Sequence, residues 1–159
     1  MIKEQQKKVE IGTVKRQDIL ENQAKIVFLG IGSNLGLRKT NIEKAKFLLA
    51  EHNLDFLSVS SYYETPSWPD PRKPRFLNII LKLKCYYSPQ ELLKICKTIE
   101  IQLGRKKAKK NAPRTCDLDI IDFNKLVSKK NSKINLPHKM MHKRNFVLIP
   151  LFEIQKNWI

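Results

Sequence analysis

Apolar and polar residues alternate along much of this chain in the short runs that are typical of strands. The first run is apolar almost throughout and ends in glycine at residues 26–32, which predicts a buried strand. Three further runs, each bounded by residues that favour turns, predict strands at residues 55–63, 76–87 and 116–123. The apolar pattern therefore predicts four strands.

Two other segments repeat apolar residues at the spacing of a helix. The first covers residues 40–51. The second begins after Ser88, where serine as N-cap, Pro89 at the first helical position and Glu91 at the third form a capping box. Gly104 is a natural C-cap for this helix. Each helix therefore follows a predicted strand.

The predicted elements follow one another as strand, helix, strand, strand, helix, strand. This βαββαβ order predicts an α+β, ferredoxin-like sandwich in which two helices pack on one face of an antiparallel sheet. After the last strand, a short apolar segment runs to Pro150. The 159 residues are enough for one domain, which we place at residues 25–159. Residues 1–24 are polar and are interpreted as an N-terminal arm.

Composition adds a strong positive charge to this picture. Lys and Arg together number 31 against 15 Asp and Glu, so the formal net charge is +16. Such an excess is typical of proteins that bind nucleic acids, membrane surfaces or phosphate compounds. Only 7 of these cations are Arg, the residue expected where planar phosphate groups are recognised. The few Arg are therefore more informative than the many Lys.

The rest of the composition narrows the class of protein. A hydrophobic fraction of 42% is enough for one core, which excludes a wholly disordered chain. The three cysteines are too widely spaced for a zinc site or a disulfide framework. No apolar run approaches the ~20 residues that cross a bilayer, and the N-terminus lacks the pattern of a signal peptide. We therefore expect a cytoplasmic protein that does not bind membranes.

The clearest candidate site is the pair Asp117 and Asp119 on the fourth predicted strand. Strand side chains alternate, so these carboxylates point the same way, about 7 Å apart at their Cα atoms. A divalent cation would relieve their repulsion, and oxygen ligands suit Mg²⁺. The alternative is an acidic pair on a solvent-exposed face. The basic segment 105–114, which ends in Arg114 three residues before Asp117, favours a nucleotide–metal site instead.

Three further groups of residues are candidates for binding a substrate. His138 and Arg144 offer a hydrogen-bond donor and a fixed charge toward phosphate, although a histidine alone is more often structural. Phe76 and Asn78 share a strand face, which suits a planar heterocycle as well as it suits core packing. Trp68 lies in a segment with four prolines in ten residues. We interpret it as a lid or wall of a site, or as an anchor of its own loop.

Seven short motifs occur in order along the chain. They are GSNLG at 32–36, YETP at 63–66, FLN at 76–78, Glu100 with Gly104-Arg105, PRTCDLDI at 113–120, LPH at 136–138 and RNFVLIPL at 144–151. The most specific of them is the block at 113–120. Together the motifs resemble the 6-hydroxymethyl-7,8-dihydropterin pyrophosphokinase family of folate biosynthesis, and the resemblance runs over residues 26–154.

The resemblance implies an enzyme that transfers pyrophosphate from ATP to 6-hydroxymethyl-7,8-dihydropterin, giving AMP and the pterin diphosphate. It implies two Mg²⁺ ions held by Asp117 and Asp119, which share the catalytic role with Arg105 and Arg114. The residues matched to the family's ATP and phosphate site are Glu100, Arg105, Lys107, Arg114, Ile120, His138 and Arg144. Those matched to its pterin site are Thr65, Pro66, Trp68, Phe76, Asn78 and Phe146.

The chain departs from the family pattern at three places. Asn111-Ala112 stands where many members have Trp-Gly, in a loop that is shorter than usual. Trp68-Pro69 replaces a usual glycine, and the chain stops at Ile159, where members commonly continue. These differences concern loop closure and turnover. The matched acids and arginines are intact, so we expect activity.

Two other functions stay open as alternatives. RNA-recognition domains share the βαββαβ order and are often basic, but residues 76–82 lack their glycines and alternating aromatics. That function also leaves Asp117 and Asp119 unexplained. The second alternative is a degenerate homologue that binds pterin or ATP without turnover. We expect the active enzyme, acting as a monomer on small molecules and without a nucleic-acid partner.

Overall fold

The computed structural model describes residues 23–130 and 132–158, so almost all of the predicted N-terminal arm lies outside the described residues. Within them, the strands are β1 (Lys25–Ser33), β2 (Asp55–Val59), β3 (Tyr63–Thr65), β4 (Phe76–Cys85) and β5 (Asp117–Phe123). The helices are α1 (Arg38–Glu51), α2 (Pro89–Gln102) and α3 (Asn145–Ile154), with one turn of 3₁₀-helix at Met141–Lys143. In this part of the chain, no helix is long and apolar enough to cross a membrane.

The strand β1 is the centre of the sheet. It pairs with β4 along its whole length, from Lys25 opposite Cys85 to Ser33 opposite Leu77, and its other edge pairs with β5. The second edge of β4 pairs with both β2 and β3. The resulting order is β2-β4-β1-β5, with β3 beside β4, and every pairing is antiparallel. The predicted antiparallel sheet is confirmed.

One face of the sheet is covered by α1 and α2, as the apolar spacing predicts. Their buried apolar residues are Ile42, Ala45 and Leu49 in α1 and Leu92, Cys96 and Ile99 in α2. These side chains join Leu29 and Leu81 of the sheet, both without exposed surface, in one hydrophobic cluster. Removal of this apolar surface from water is the main term that favours the fold.

The other face of the sheet is covered by a third helix, which the apolar pattern does not predict. Val147 and Leu151 of α3 pack in a second cluster with residues of the sheet, among them Phe28 and Ile80. The two predicted helices do share one face, and α3 is an addition that the prediction lacks. The run FVLIPLF in α3 is apolar all round and has Pro150 inside the helix. Such a run does not distinguish a helix from a strand by its periodicity.

The predicted strand at 55–63 is two strands in the structure. β2 ends at Val59 and β3 begins at Tyr63. Between them, Ser60 Oγ accepts a hydrogen bond from the N–H of Ile80 at 2.9 Å, and the N–H of Ser60 donates to the carbonyl of Ile80 at 2.9 Å. In the gap between β2 and β3, Ser60 thus satisfies both backbone hydrogen-bonding groups of Ile80 in β4. The following three-residue strand carries Thr65 to one end of the sheet.

The three cysteines are free thiols buried in the core. Burial raises the pKa of Cys96 and of Cys116 to about 12, and it also raises the pKa of Cys85. A thiol that stays protonated is a weak nucleophile and a poor metal ligand. These cysteines therefore serve as small packing residues.

The capping box of α2 makes a contribution to stability that can be measured. Ser88 Oγ accepts a hydrogen bond from the N–H of Glu91 at 3.3 Å, and the Glu91 carboxylate accepts one from the N–H of Ser88 at 2.7 Å. Because Ser88→Ala removes the first of these acceptors, we expect it to lower the free energy of unfolding in urea by about 1 kcal/mol. Thr98→Ala, at an exposed position of the same helix, should leave that free energy nearly unchanged. Equal losses in the two variants would contradict the capping role.

Candidate active site

One end of the sheet opens into a cleft of about 290 Å³, which we call the first cleft. It lies between the sheet, the loops that precede β4 and β5, and the start of α3. The predicted site residues that line it are Thr65, Pro66, Trp68, Phe76, Asn78, Arg105, Arg114, Asp117, Asp119, His138, Arg144 and Phe146. The structure thus brings together most of the predicted residues, from both the phosphate set and the pterin set.

The floor of the first cleft is backbone, because two glycines of β1 lie there. Gly30 and Gly32 are two residues apart on a strand, so both would direct a side chain to the same face. A Cβ atom on Gly32 would lie 2.8 Å from Oδ1 of Asn78, whereas one on Gly30 would meet side-chain carbons of Ile80 and Ile121 at 3.4 Å. Glycine at position 32 therefore leaves the space that the amide of Asn78 occupies.

The two acids of β5 stand opposite these glycines in the register with β1. Asp117 is held by two arginines from the basic segment. Arg105 Nη1 donates to Oδ1 of Asp117 at 2.6 Å, and Arg114 Nη1 donates to Oδ2 at 3.1 Å. Each oxygen of this carboxylate therefore has its own guanidinium partner. Hydrogen bonds between two charged groups are about twice as strong as neutral ones.

A buried carboxylate beneath the cleft holds Arg105 in place. Glu100 is 2% exposed, and its Oε1 accepts a hydrogen bond from the N–H of Leu118 at 2.8 Å. It also forms ion pairs with Arg105 at 2.7 Å and with Lys97 at 2.9 Å. Burial acts to lower the pKa of Arg105, but the carboxylates of Asp117 and Glu100 outweigh it and raise that pKa. The arginine therefore remains charged although it is partly buried.

Asp119 is held less tightly than its neighbour on β5. Its ion pair with Arg144 is 3.9 Å long, and 38% of its side chain is exposed. Burial and repulsion by Asp117 raise the pKa of Asp119, while His138 and Arg144 act in the opposite direction. Burial also lowers the pKa of His138, which favours the neutral imidazole. The carboxyl of Asp119 is therefore held by a longer ion pair than either of the two that hold Asp117.

Two phenylalanines line the first cleft, Phe76 from the start of β4 and Phe146 from the first turn of α3. The guanidinium of Arg114 lies 5.8 Å from the centre of the Phe76 ring. That of Arg144 lies 5.6 Å from the centre of the Phe146 ring. Each arginine is thus in cation–π contact with an aromatic side chain of the same cleft. Each of the two phenylalanines in the cleft is therefore paired with one arginine, Phe76 with Arg114 and Phe146 with Arg144.

Asn78 supplies an amide at the edge of this aromatic surface. It is 7% exposed, and its Nδ2 donates to Oγ1 of Thr65 at 3.0 Å. Thr65 stands opposite Phe76 in the register between β3 and β4. The threonine, the amide and the ring are therefore neighbours on two paired strands, as the shared strand face of Phe76 and Asn78 predicts.

A second, open cleft of about 690 Å³ adjoins the first. It is lined by Ile120, which was predicted to lie at the nucleotide site, and by the lysines Lys97, Lys110, Lys133 and Lys139. The residues that line both clefts are Trp68, Lys97, Asn111, Asp119, His138 and Arg144. The two clefts therefore meet at Asp119; Phe76 and Phe146 line only the first of them, and Lys110, Lys133 and Lys139 line only the second.

The structure separates two predicted residues from the clefts. Lys107 is exposed on the loop after α2 and does not line either cleft. Glu100 lies beneath the surface and contacts the site through Arg105. Lys97, which was not predicted, lines both clefts. Its only sequence signal is its position one helical turn before Glu100.

Asn34 is a second residue that the sequence reasoning missed. It is 3% exposed, and its Nδ2 donates to Oγ of Ser67 at 3.2 Å and to the carbonyl of Pro74 at 3.1 Å. Its Oδ1 accepts from the N–H of Arg114 at 2.8 Å. This one side chain ties the proline-rich loop to the basic segment. Its place in the GSNLG motif was the available signal.

The two acids of β5 are a suitable donor set for a hard divalent cation. Their carboxylate oxygens lie on one strand face at the junction of the clefts, and Mg²⁺ prefers oxygen ligands. In residues 23–130 and 132–158, no group of three or more His, Cys, Asp or Glu side chains is placed to hold a metal ion. A cation bound here would therefore take further ligands from substrate oxygens and water.

Comparison with known proteins identifies the family. The sequence model described as 7,8-dihydro-6-hydroxymethylpterin-pyrophosphokinase (HPPK) matches residues 28–156. The chain belongs to the HPPK family. A relative named 2-amino-4-hydroxy-6-hydroxymethyldihydropteridine pyrophosphokinase, from Aquifex aeolicus, is 39% identical over 133 residues, which are 84% of this chain and 82% of the relative. One of the same name from Bacillus subtilis is 38% identical over 130 residues, 81% of this chain and 77% of the relative. The family resemblance is confirmed.

A solved structure shares the fold. It is described as HPPK-DHPS in complex with substrates, and it superposes with a TM-score of 0.61 over 83% of this chain at 16% sequence identity. This chain covers 40% of that longer one. At this identity the likeness concerns the fold alone. It agrees with the antiparallel sheet and packed helices described above.

The close contact at Gly32 predicts how alanine substitutions at positions 30 and 32 change the stability of this protein. A Cβ at position 32 would lie 2.8 Å from Oδ1 of the buried Asn78, so Asn78 would have to move. We expect Gly32→Ala to lower the free energy of unfolding by about 1–3 kcal/mol, as overpacking of a filled site does. Gly30→Ala, whose Cβ would meet its neighbours at 3.4 Å, should lower it much less. Chemical denaturation of both variants measures the difference, and equal effects would refute the steric argument.

Proposed function

We propose that this protein transfers pyrophosphate from ATP to 6-hydroxymethyl-7,8-dihydropterin in folate biosynthesis, releasing AMP. The observation that carries the proposal is the junction of the two clefts. The first cleft, which contains Phe76 and Phe146 beside several arginines, and the second cleft, which is lined by lysines, meet at Asp119, His138 and Arg144. A reaction between a planar heterocycle and a nucleotide polyphosphate needs two such compartments with their reacting ends together. The activity printed in the names of the relatives agrees with this arrangement.

The first cleft is the proposed pterin site. The rings of Phe76 and Phe146 offer faces on which a planar heterocycle stacks. Asn78 and Thr65, already joined by a hydrogen bond of 3.0 Å, offer amide and hydroxyl groups to the polar edge of the pterin. Trp68 lines the same cleft and is 62% exposed, so it forms an outer wall. Pro66 completes the pterin set that the family resemblance implies.

The second cleft is the proposed nucleotide site, and Arg144 at the junction and Arg105 and Arg114 in the adjoining part of the first cleft extend it toward the phosphates. Ile120 offers apolar contact to the base, and Arg105, Arg114, Arg144 and His138 offer charge and donors to the phosphates. Arg105 and Arg114 already bind the carboxylate oxygens of Asp117, at 2.6 and 3.1 Å. Guanidinium groups that pair with a carboxylate also match the geometry of a phosphate. Glu100 supports this site through Arg105, and Lys107 stays a predicted contact that requires its loop to move.

Asp117 and Asp119 are the residues that would hold Mg²⁺, and we propose two ions, as the family resemblance implies. The ions, when bound with ATP, neutralise charge that develops on the phosphate oxygens. The chain itself contributes two carboxylates at fixed spacing on a strand. It also contributes arginines that pair with these carboxylates, at 2.6 and 3.1 Å for Asp117 and at 3.9 Å for Asp119.

The reaction forms one bond and breaks another at the β-phosphorus of ATP. The hydroxymethyl oxygen of the pterin bonds to this phosphorus and gives its proton to solvent water, and the bond from the phosphorus to the oxygen that bridges to the α-phosphate breaks. AMP leaves with that oxygen. The protein's part is to orient the two substrates and to compensate the phosphate charge with arginine side chains, which do not lose their protons.

Three finer points belong to the same proposal. The sheet order β2-β4-β1-β5 supports the ferredoxin-like assignment, to which β3 and α3 are additions. We also propose that the protein acts as a monomer and that it works in the cytoplasm. The placement of the whole proposed site within one chain supports the first of these points.

The direct test is an analysis of nucleotide products. Purified protein, ATP, Mg²⁺ and 6-hydroxymethyl-7,8-dihydropterin are incubated and the products are separated by chromatography. We expect AMP and the pterin diphosphate in equal amounts, and only when both the pterin and the metal are present. Formation of ADP would contradict pyrophosphate transfer. Binding of pterin and ATP without any product would favour the degenerate homologue instead.

The role of the acids at the junction gives a second prediction. Asp119→Asn keeps the size of the side chain but removes its charge, so we expect AMP formation to fall by about 100-fold or more. Asp122→Asn is the matched control, because Asp122 lies on the same strand, is buried and does not line either cleft. It should keep most of the activity. Equal activities of the two variants in the AMP assay would refute the metal-site assignment.

A further inference from the structure

A carboxylate of α3 is bound to the segment that carries β3. Glu153 accepts hydrogen bonds from the N–H of Ser61 at 3.0 Å and from the Oγ of Ser61 at 2.7 Å. It also accepts one from the hydroxyl of Tyr63 at 2.9 Å. These bonds join parts of the chain that are about ninety residues apart. Hydrogen bonds to Ser61 lower the pKa of Glu153, so the carboxylate is charged at neutral pH.

The strand that receives these bonds is short and lies at an edge of the sheet, and its other side-chain contacts include the ion pairs of Glu64 with Arg38 and Arg75. β3 is three residues long and pairs with β4 alone, through Tyr63, Glu64 and Thr65. Such a short edge strand is held by few ladder hydrogen bonds. Tyr63 and Thr65 are two residues apart, so their side chains leave the strand on the same face. The residue that contacts Glu153 and the residue that contacts Asn78 are therefore fixed together.

The helix that supplies Glu153 also supplies the opposite side of the first cleft. Phe146 and Glu153 are seven residues apart in α3, which is two helical turns, so they lie on the same side of the helix. Val147 and Leu151 anchor that helix on the sheet through apolar contacts. Apolar contacts are not directional, whereas hydrogen bonds depend on the positions of particular atoms. The hydrogen bonds of Glu153 therefore fix the position of α3 relative to Ser61 and Tyr63.

We propose that Glu153 is a positioning residue that sets the width of the pterin compartment. It fastens the helix that carries Phe146 to the strand that carries Thr65, and so it fixes the two sides of the first cleft relative to each other. Glu153 does not line that cleft and does not touch the proposed substrates. The inference rests on the proposed function, because it concerns the binding of the pterin.

The experiment compares the KM values for the two substrates in the AMP assay. We expect Glu153→Ala to raise the KM for the pterin by about tenfold, since small misplacements of a binding surface are costly. The KM for ATP should stay within about twofold of its original value, because Arg105, Arg114 and the acids of β5 lie outside α3 and only Arg144, of the arginines proposed for ATP, adjoins that helix. Glu153→Gln keeps an oxygen acceptor for Ser61 and should restore most of the pterin affinity.

Two further variants keep the test decisive if Glu153→Ala folds poorly. Tyr63→Phe removes one of the hydrogen bonds and leaves the strand intact, and it should raise the KM for the pterin by about threefold. Glu91→Ala is the matched control for a merely structural loss. Glu91 also accepts hydrogen bonds from a backbone N–H and a serine hydroxyl, at 2.7 and 2.8 Å, but it lies in the capping box of α2.

The outcomes separate this inference from the proposed function. A rise in the KM for the pterin alone in the Glu153 and Tyr63 variants, absent in Glu91→Ala, is the expected result. Unchanged values for the pterin, or equal rises for both substrates, would overturn the positioning role while the proposed function stands. If the original chain forms no AMP from ATP and pterin, the proposed function fails and this inference fails with it.

Discussion

The strand β1 pairs on both edges and is covered by helices on both faces, and its residue type changes along its length. It pairs with β4 on one edge and β5 on the other. Its buried apolar side chains serve the two layers of helices, and its glycines lie at the floor of the first cleft. The sheet can therefore be a closed core at one end and an open site at the other. The strands β4 and β5, which carry Phe76, Asn78, Asp117 and Asp119, are both positioned by their pairing with β1.

The charged side chains at the start of β5 form a connected set of ion pairs. Asp117 is paired with Arg105 and Arg114, and Arg105 is paired again with the buried Glu100. Separating such charges in a partly buried site is costly unless other charges replace them. In the proposed reaction, phosphate and cation would replace the partners of both the arginines and the acids. Substrate binding thus replaces ion pairs within the protein by ion pairs with phosphate and cation. Few charges in the complex are left without a partner.

The sequence predicts the sheet, the two helices on one of its faces and most of the residues of the first cleft. These features depend on local patterns, such as alternation in strands and the capping box at Ser88, and on motifs that lie close to the acids of β5. It does not predict α3 as a helix, because its apolar run contains Pro150 and has no polar face. It does not predict β3 as a separate strand, because three residues are too few to show a period. The role of Asn34 depends on contacts with two distant loops, and no local pattern shows such contacts.

The buried cysteines have a consequence for how the protein responds to its surroundings. Two of them, Cys96 and Cys116, belong to the hydrophobic cluster beneath α1 and α2, and burial raises the pKa of each to about 12. Alkylating agents and oxidants react with the thiolate, so these residues are protected as long as the helices stay packed on the sheet. Once that layer opens, the same thiols become reactive. Their labelling by an added reagent therefore reports how often the helical layer separates from the sheet.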